Sequence, residues 1–118
     1  MAQLRAAGAE CIVVEREAPA RLSLPAVLKA LADRGITRLL VEGGPTMAAS
    51  FYAAGLVDEA VFFQAAAELT GPAIKPQAGL AEFMTDEQYS LVSRQCIGDD
   101  CMITYRRRAF WQAATPQV

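Results

Sequence analysis

The chain has 118 residues, enough for one small domain, and 53% of them are apolar, so a buried core is within reach. Eleven basic against thirteen acidic side chains leave a formal net charge of −2, which excludes a global electrostatic pull toward nucleic acid or anionic lipid; any anion must be bound locally. The absence of histidine removes Ser-His-Asp and Cys-His catalysis, zinc-protease helices and most catalytic zinc sites in one step.

Residues 10–15, Glu-Cys-Ile-Val-Val-Glu, form a β-branched apolar run bounded by charge, which predicts a buried strand with Cys11 in the core. Ser23 then offers an N-cap and Pro25 suits a first turn, while Leu24, Val27, Leu28 and Leu31 make one apolar helical stripe that stops at Gly35. A second apolar run follows over residues 36–41. Because a helix separates the two runs, the expected unit is βαβ with a parallel, right-handed crossover. Glu42, Gly43, Gly44 and Pro45 lead into a second helix over residues 46–54, with Pro45 at its first position and Gly55 as a left-handed cap.

Val61, Phe62 and Phe63 mark a third strand. Residues 67–80 carry Gly71, Pro72, Pro76 and Gly79 and read as an irregular loop. Residues 89–95 and 101–107 read as two strands around the turn Gly98-Asp99-Asp100, so a terminal antiparallel hairpin is expected, followed from residue 109 by a loosely held tail. The expected fold is therefore α/β and three-layer, with a mostly parallel sheet and a C-terminal antiparallel hairpin.

No apolar run approaches the ~20 residues of a membrane span, and residues 1–5 lack a signal-peptide core, so a cytoplasmic protein without membrane or nucleic-acid partners is expected. The odd number of cysteines, Cys11, Cys96 and Cys101, argues for reduced thiols, with a bridge from Cys96 to Cys101 across the turn left open. No metal site is expected; the acidic turn tip at Asp99-Asp100 has no further carboxylate cluster nearby in sequence.

The chemistry is concentrated in Glu42-Gly43-Gly44-Pro45-Thr46. Two glycines at the end of a strand and the start of a helix stand where open α/β sheets bind ligands, and a helix N-terminus presents unpaired amides and a positive dipole end to phosphate. Thr46 and Ser50 add hydroxyls. On spacing alone the segment is better accounted for as plain turn geometry, and it is neither GxGxxG nor a Walker loop.

The longer string, residues 41–51 (Val-Glu-Gly-Gly-Pro-Thr-Met-Ala-Ala-Ser-Phe) followed by Gly55-Leu56-Val57-Asp58-Glu59, resembles the reductase domain of the riboflavin-biosynthesis deaminase/reductase family, which is dihydrofolate-reductase-like in fold. The resemblance extends from the run around Val13 to Tyr105-Arg106. It implies that Gly43, Gly44, Pro45, Thr46, Met47, Ala48, Ala49 and Ser50 hold NADPH and that Glu42 contacts substrate; it leaves the catalytic residues unknown. The implied reaction reduces the ribosylamino group of a phosphorylated aminopyrimidine, that of 5-amino-6-(5-phosphoribosylamino)uracil reductase. A related pterin or pyrimidine reductase and a non-catalytic nucleotide-binding or oligomerisation module are the alternatives.

The resemblance also implies an incomplete domain, residues 1–108 being its C-terminal portion and 109–118 a tail, with partners in a homo-oligomer or in a missing N-terminal half. Ala65-Ala66-Ala67 departs from the family's usual Ala-Pro after the third strand. Asp58-Glu59 reads as structural, and Arg106-Arg107-Arg108 as a solvated strand end.

Overall fold

The computed structural model describes residues 1–67 and 79–109. They fall into two compact units, Met1–Leu40 and the residues from Val41 onward.

The first unit contains a short helix α1 (Ala2–Ala6), a two-stranded antiparallel ribbon of β1 (Arg16–Ala18) and β2 (Arg21–Leu22), and helix α2 (Leu24–Ala32). The Ser23 hydroxyl accepts the Ala26 amide at 3.3 Å, satisfying one donor at the start of α2, as its position predicts. At the other end Gly35 sits at φ +80°. Its amide donates to the Ala32 carbonyl at 2.8 Å, and the Ile36 amide donates to that of Leu31 at 3.1 Å. This closure uses a left-handed residue, which is why glycine ends the stripe.

The two strands expected on either side of α2 are not formed. Residues 10–15 and 36–41 belong to no ladder, and Val13 and Leu40 are 74% and 80% exposed. Apolar runs of this kind are strands only when bonded to neighbours and covered on both faces. What pairs instead is β1 with β2, separated only by Pro19 and Ala20, the connection with the least entropy to lose on closure.

The second unit contains α3 (Pro45–Ala53), β3 (Glu59–Gln64), α4 (Leu80–Thr85), β4 (Tyr89–Ile97) and β5 (Asp100–Arg107). Its sheet has the order β3-β5-β4, and both pairings are antiparallel. The expected C-terminal hairpin is present, with Ile97 opposite Asp100 across Gly98-Asp99. The mostly parallel sheet is not: both described sheets are antiparallel throughout. No strands pair across α2, and β3 has its partner in β5, later in the chain. Period-2 patterning marks strands without saying which edge they join.

Helix α4 begins inside the segment read as an irregular loop; of that segment, residues 68–78 lie outside the described residues, as do 110–118 of the expected tail. Its start is held by half of a capping box, the Glu82 carboxylate accepting the Gly79 amide at 2.7 Å. That contact, first among the causes, holds the Glu82 carboxyl below the ordinary carboxylate range.

The core lies on one face of this sheet. Phe83 of α4, Tyr89 of β4 and Ile103 and Tyr105 of β5 are buried together, with Tyr52 of α3, Val57, Ala60, Phe62, Leu80 and Cys101 packed around them. Phe83 is central: its ring lies 4.7 Å from that of Tyr89, 4.8 Å from Tyr52 and 5.3 Å from Phe62, centroid to centroid. Both helices thus contribute to the same face, giving two layers in this unit rather than the expected three. The opposite face carries Val61 and Phe63, the latter 70% exposed.

Candidate functional site

The Glu42-to-Ser50 segment is brought together as the start of α3. Gly44 is the N-cap residue and Pro45 opens the helix, where its missing amide leaves no orphan donor. The amides of Met47 and Ala48 turn back onto the Gly44 carbonyl at 3.1 and 3.2 Å. The donors ahead of them, the amides of Gly43, Gly44 and Thr46, meet no acceptor among the described residues. No acidic residue lies in the first turn of α3, so its positive end keeps its charge.

Space at this end is set by the glycines. A Cβ on Gly44 would meet nothing within 4 Å, and one on Gly43 would only reach ordinary contact with Met47 at 3.8 Å. Neither glycine is held by close packing against the rest of the fold. Glu42, Gly43, Gly44, Thr46 and Met47 are all exposed. Pro45, Ala48, Ala49 and Ser50 are half-buried and form the helix body behind the exposed end.

One expected donor is placed differently. The Ser50 hydroxyl donates to the Thr46 carbonyl at 2.8 Å, one turn back along the helix, which leaves it only acceptor capacity. The residue types at the helix start therefore suit a phosphate, with backbone amides and the Thr46 hydroxyl as donors, while Glu42 adds an exposed carboxylate two residues before the N-cap. No group of three or more His, Cys, Asp or Glu placed to hold a metal ion occurs among the described residues.

At the far end of α3 the expected Gly55 cap forms, whereas the arginine cluster beyond it was not anticipated. Gly55, at φ +65°, donates to the Tyr52 carbonyl at 2.9 Å while Leu56 donates to that of Phe51 at 2.9 Å, closing the helix as α2 is closed. Arg107 then clamps the connection to β3: its guanidinium donates to the Gly55 and Val57 carbonyls, the latter at 3.1 Å, and to the Tyr89 hydroxyl at 3.3 Å. Tyr89 in turn donates to the Val57 carbonyl at 2.9 Å. Arg106 pairs with Glu59 directly across the ladder, and Arg108 reaches the Tyr89 carbonyl at 3.2 Å. The reading of these arginines as a solvated strand end is thus corrected for Arg106 and Arg107, which are half-buried, while Arg108 is exposed. The available signal was alternation, since Arg107 continues the core face of Ile103 and Tyr105.

Tyr52 donates to Asp86 at 2.8 Å, joining α3 to the end of α4. That hydrogen bond, with burial second, pushes the Tyr52 phenol up to about 12. Asp86 is held below the usual carboxylate range, first by the Gln88 amide and then by the Tyr52 hydroxyl. These contacts fix the body of α3 and leave its start open.

Comparison with known proteins bears on this same segment. No curated protein matches the chain. The family model described as the RibD C-terminal domain matches residues 2–101, which include the whole Glu42-to-Ser50 segment and reach the first residues of β5. No helix among the described residues is long and apolar enough to cross a membrane. With most of its length matched, the chain belongs to the RibD C-terminal domain family, a reductase family of riboflavin biosynthesis.

Proposed function

We propose that the chain is the C-terminal part of a cytoplasmic, NADPH-dependent reductase that converts the ribosylamino group of a phosphorylated aminopyrimidine to a ribitylamino group, the 5-amino-6-(5-phosphoribosylamino)uracil reductase step. The observation that carries the reading is the open start of α3 within the matched residues: outward amides, no acidic neighbour in the turn, and free space over Gly44. Gly43, Gly44 and Thr46 would hold a cofactor phosphate through their amides, aided by the Thr46 hydroxyl. Pro45, Met47, Ala48, Ala49 and Ser50 would support that turn. Glu42 would hold substrate sugar hydroxyls and so orient the carbon to be reduced. Bound NADPH would supply the hydride.

The contacts available here are few. Two or three charge-assisted hydrogen bonds at about 1.5–3 kcal/mol each barely offset the ~4–15 kcal/mol lost on association. The chain alone is therefore expected to bind NADPH weakly or not at all, with a Kd of about 1 mM or higher, and to need a further segment for a complete site. Calorimetric titration tests this, with pyrophosphate as competitor. Weak, competable binding supports the reading. Submicromolar binding would show that no further segment is needed.

A second reading, a non-catalytic oligomerisation module, is favoured by the exposed Val61 and Phe63 on the outer sheet face. Homo-oligomerisation is expected under either reading. Self-association with no response to NADPH would favour the second.

A further inference from the structure

The thiols of Cys96 and Cys101 stand apart from the proposed cofactor segment, at the tip of the β4–β5 hairpin. The turn between the strands is Gly98-Asp99, with Gly98 at φ +63° and Ile97 paired with Asp100. A glycine with positive φ at the first central position is the two-residue hairpin turn whose twist matches its strands. In such a hairpin the pair next to the turn exchanges hydrogen bonds, and the next pair does not. That next pair is Cys96 with Cys101.

Residues opposed at a site of this kind have their Cα atoms about 4.5 Å apart and their side chains close together. A disulfide needs Cα atoms ~4.4–6.8 Å apart, so the backbone separation is already suitable. The two sulfur atoms lie 4.0 Å from each other and are unbonded. Rotation about the side-chain bonds, with small strand adjustment, brings them together. Exposure divides the roles: Cys96 is exposed, whereas Cys101 is half-buried and packs against the core cluster.

We propose that Cys96 and Cys101 form an oxidisable dithiol that low-molecular-weight disulfides convert to a cross-strand disulfide. The Cys96 thiolate attacks one sulfur of glutathione disulfide, forming a mixed disulfide and releasing one glutathione thiolate. The Cys101 thiolate then attacks the Cys96 sulfur, forming the Cys96–Cys101 bond and releasing the second glutathione. The protein dithiol loses two electrons and two protons, and one glutathione disulfide becomes two glutathione molecules. The third thiol, Cys11, lies in the other unit and takes no part.

The test is equilibration of the full chain in glutathione buffers of graded ratio, followed by acid quench, alkylation, intact mass and peptide mapping. The expected result is the joint loss of the Cys96 and Cys101 thiols with a Cys96–Cys101 cross-linked peptide, while Cys11 is alkylated. The same titration in guanidinium chloride should need a buffer at least about tenfold more oxidising in [GSSG]/[GSH]², because unfolding removes the opposition of the two thiols. Cys101→Ser should accumulate the mixed disulfide at Cys96. A persistent mixed disulfide at Cys96 in the unsubstituted chain, a bridge to Cys11, or equal midpoints for the folded and unfolded chains would overturn the proposal.

Discussion

Replacing Gly44 separates a binding role from a turn role. The Cβ added by Gly44→Ala would meet no atom within 4 Å, so the substitution creates no clash with the rest of the fold. Stability should change by no more than about 1 kcal/mol. Gly44→Val adds bulk to the same clearance and would hold a phosphate away from the Gly44 and Thr46 amides. Losing two charge-assisted hydrogen bonds at about 1.5–3 kcal/mol each predicts affinity lower by roughly 10²- to 10⁴-fold. From a weak starting affinity, that is loss of detectable binding. Thermal melting and NADPH titration on the same preparation give both numbers. If Gly44→Ala lowers the melting temperature strongly, or Gly44→Val binds NADPH as well as the parent chain, the glycine serves the turn and the phosphate argument fails.

The other predictions concern what supports α3. Phe83→Ala, removing the ring at the centre of the aromatic cluster and 4% exposed in the fold, should cost about 3–5 kcal/mol in denaturant unfolding; a cost below 1 kcal/mol would mean that the cluster is not the core. Arg107→Ala should cost about 1–3 kcal/mol by leaving the Gly55 and Val57 carbonyls without their guanidinium donor. Arg107→Lys should recover little of it, because one ammonium lacks the planar fork that serves several acceptors; full recovery would show that charge alone matters. Tyr52 has its folded pKa raised, so its contribution to stability is complete below its ordinary value of 10.0 and is lost as pH rises through about 12. Asp86 has its pKa lowered, so its contribution is present above the ordinary 3.8 and is lost as pH falls through the folded value. Tyr52→Phe should remove the alkaline dependence and only part of the acid one, since the Gln88 amide remains; an unchanged alkaline limb in stability-versus-pH measurements would refute the Tyr52–Asp86 link.

Local chemistry was legible in the chain itself. Ser23, Gly35, Pro45 and Gly55 mark helix ends through hydrogen bonds and dihedral preferences that act over a few residues, and each stands where its chemistry requires. The Gly98 turn and the two strands around it are likewise local. The Glu42-Gly43-Gly44-Pro45-Thr46 string carried the family resemblance because its order is distinctive, although its spacing by itself suited a plain turn better.

Partner choice was not legible. Residues 10–15 and 36–41 have the composition of buried strands, yet strand state depends on another backbone supplying the ladder and on layers covering both faces, and neither is encoded within the run. The pairing of β3 with β5, the face of their sheet that carries the aromatic cluster, and the recruitment of Arg107 to carbonyls fifty residues earlier are decided by which surfaces meet. So is the use of the Ser50 hydroxyl, which the sequence offers as a donor to a ligand and the helix directs to its own Thr46 carbonyl. Sequence alone thus determined the ends of α2 and α3, the hairpin and the family, because these rest on short-range preferences and distinctive residue order. Tertiary structure alone decided strand partners, layer number and which donors remain outward, because these depend on competition among groups distant in the chain.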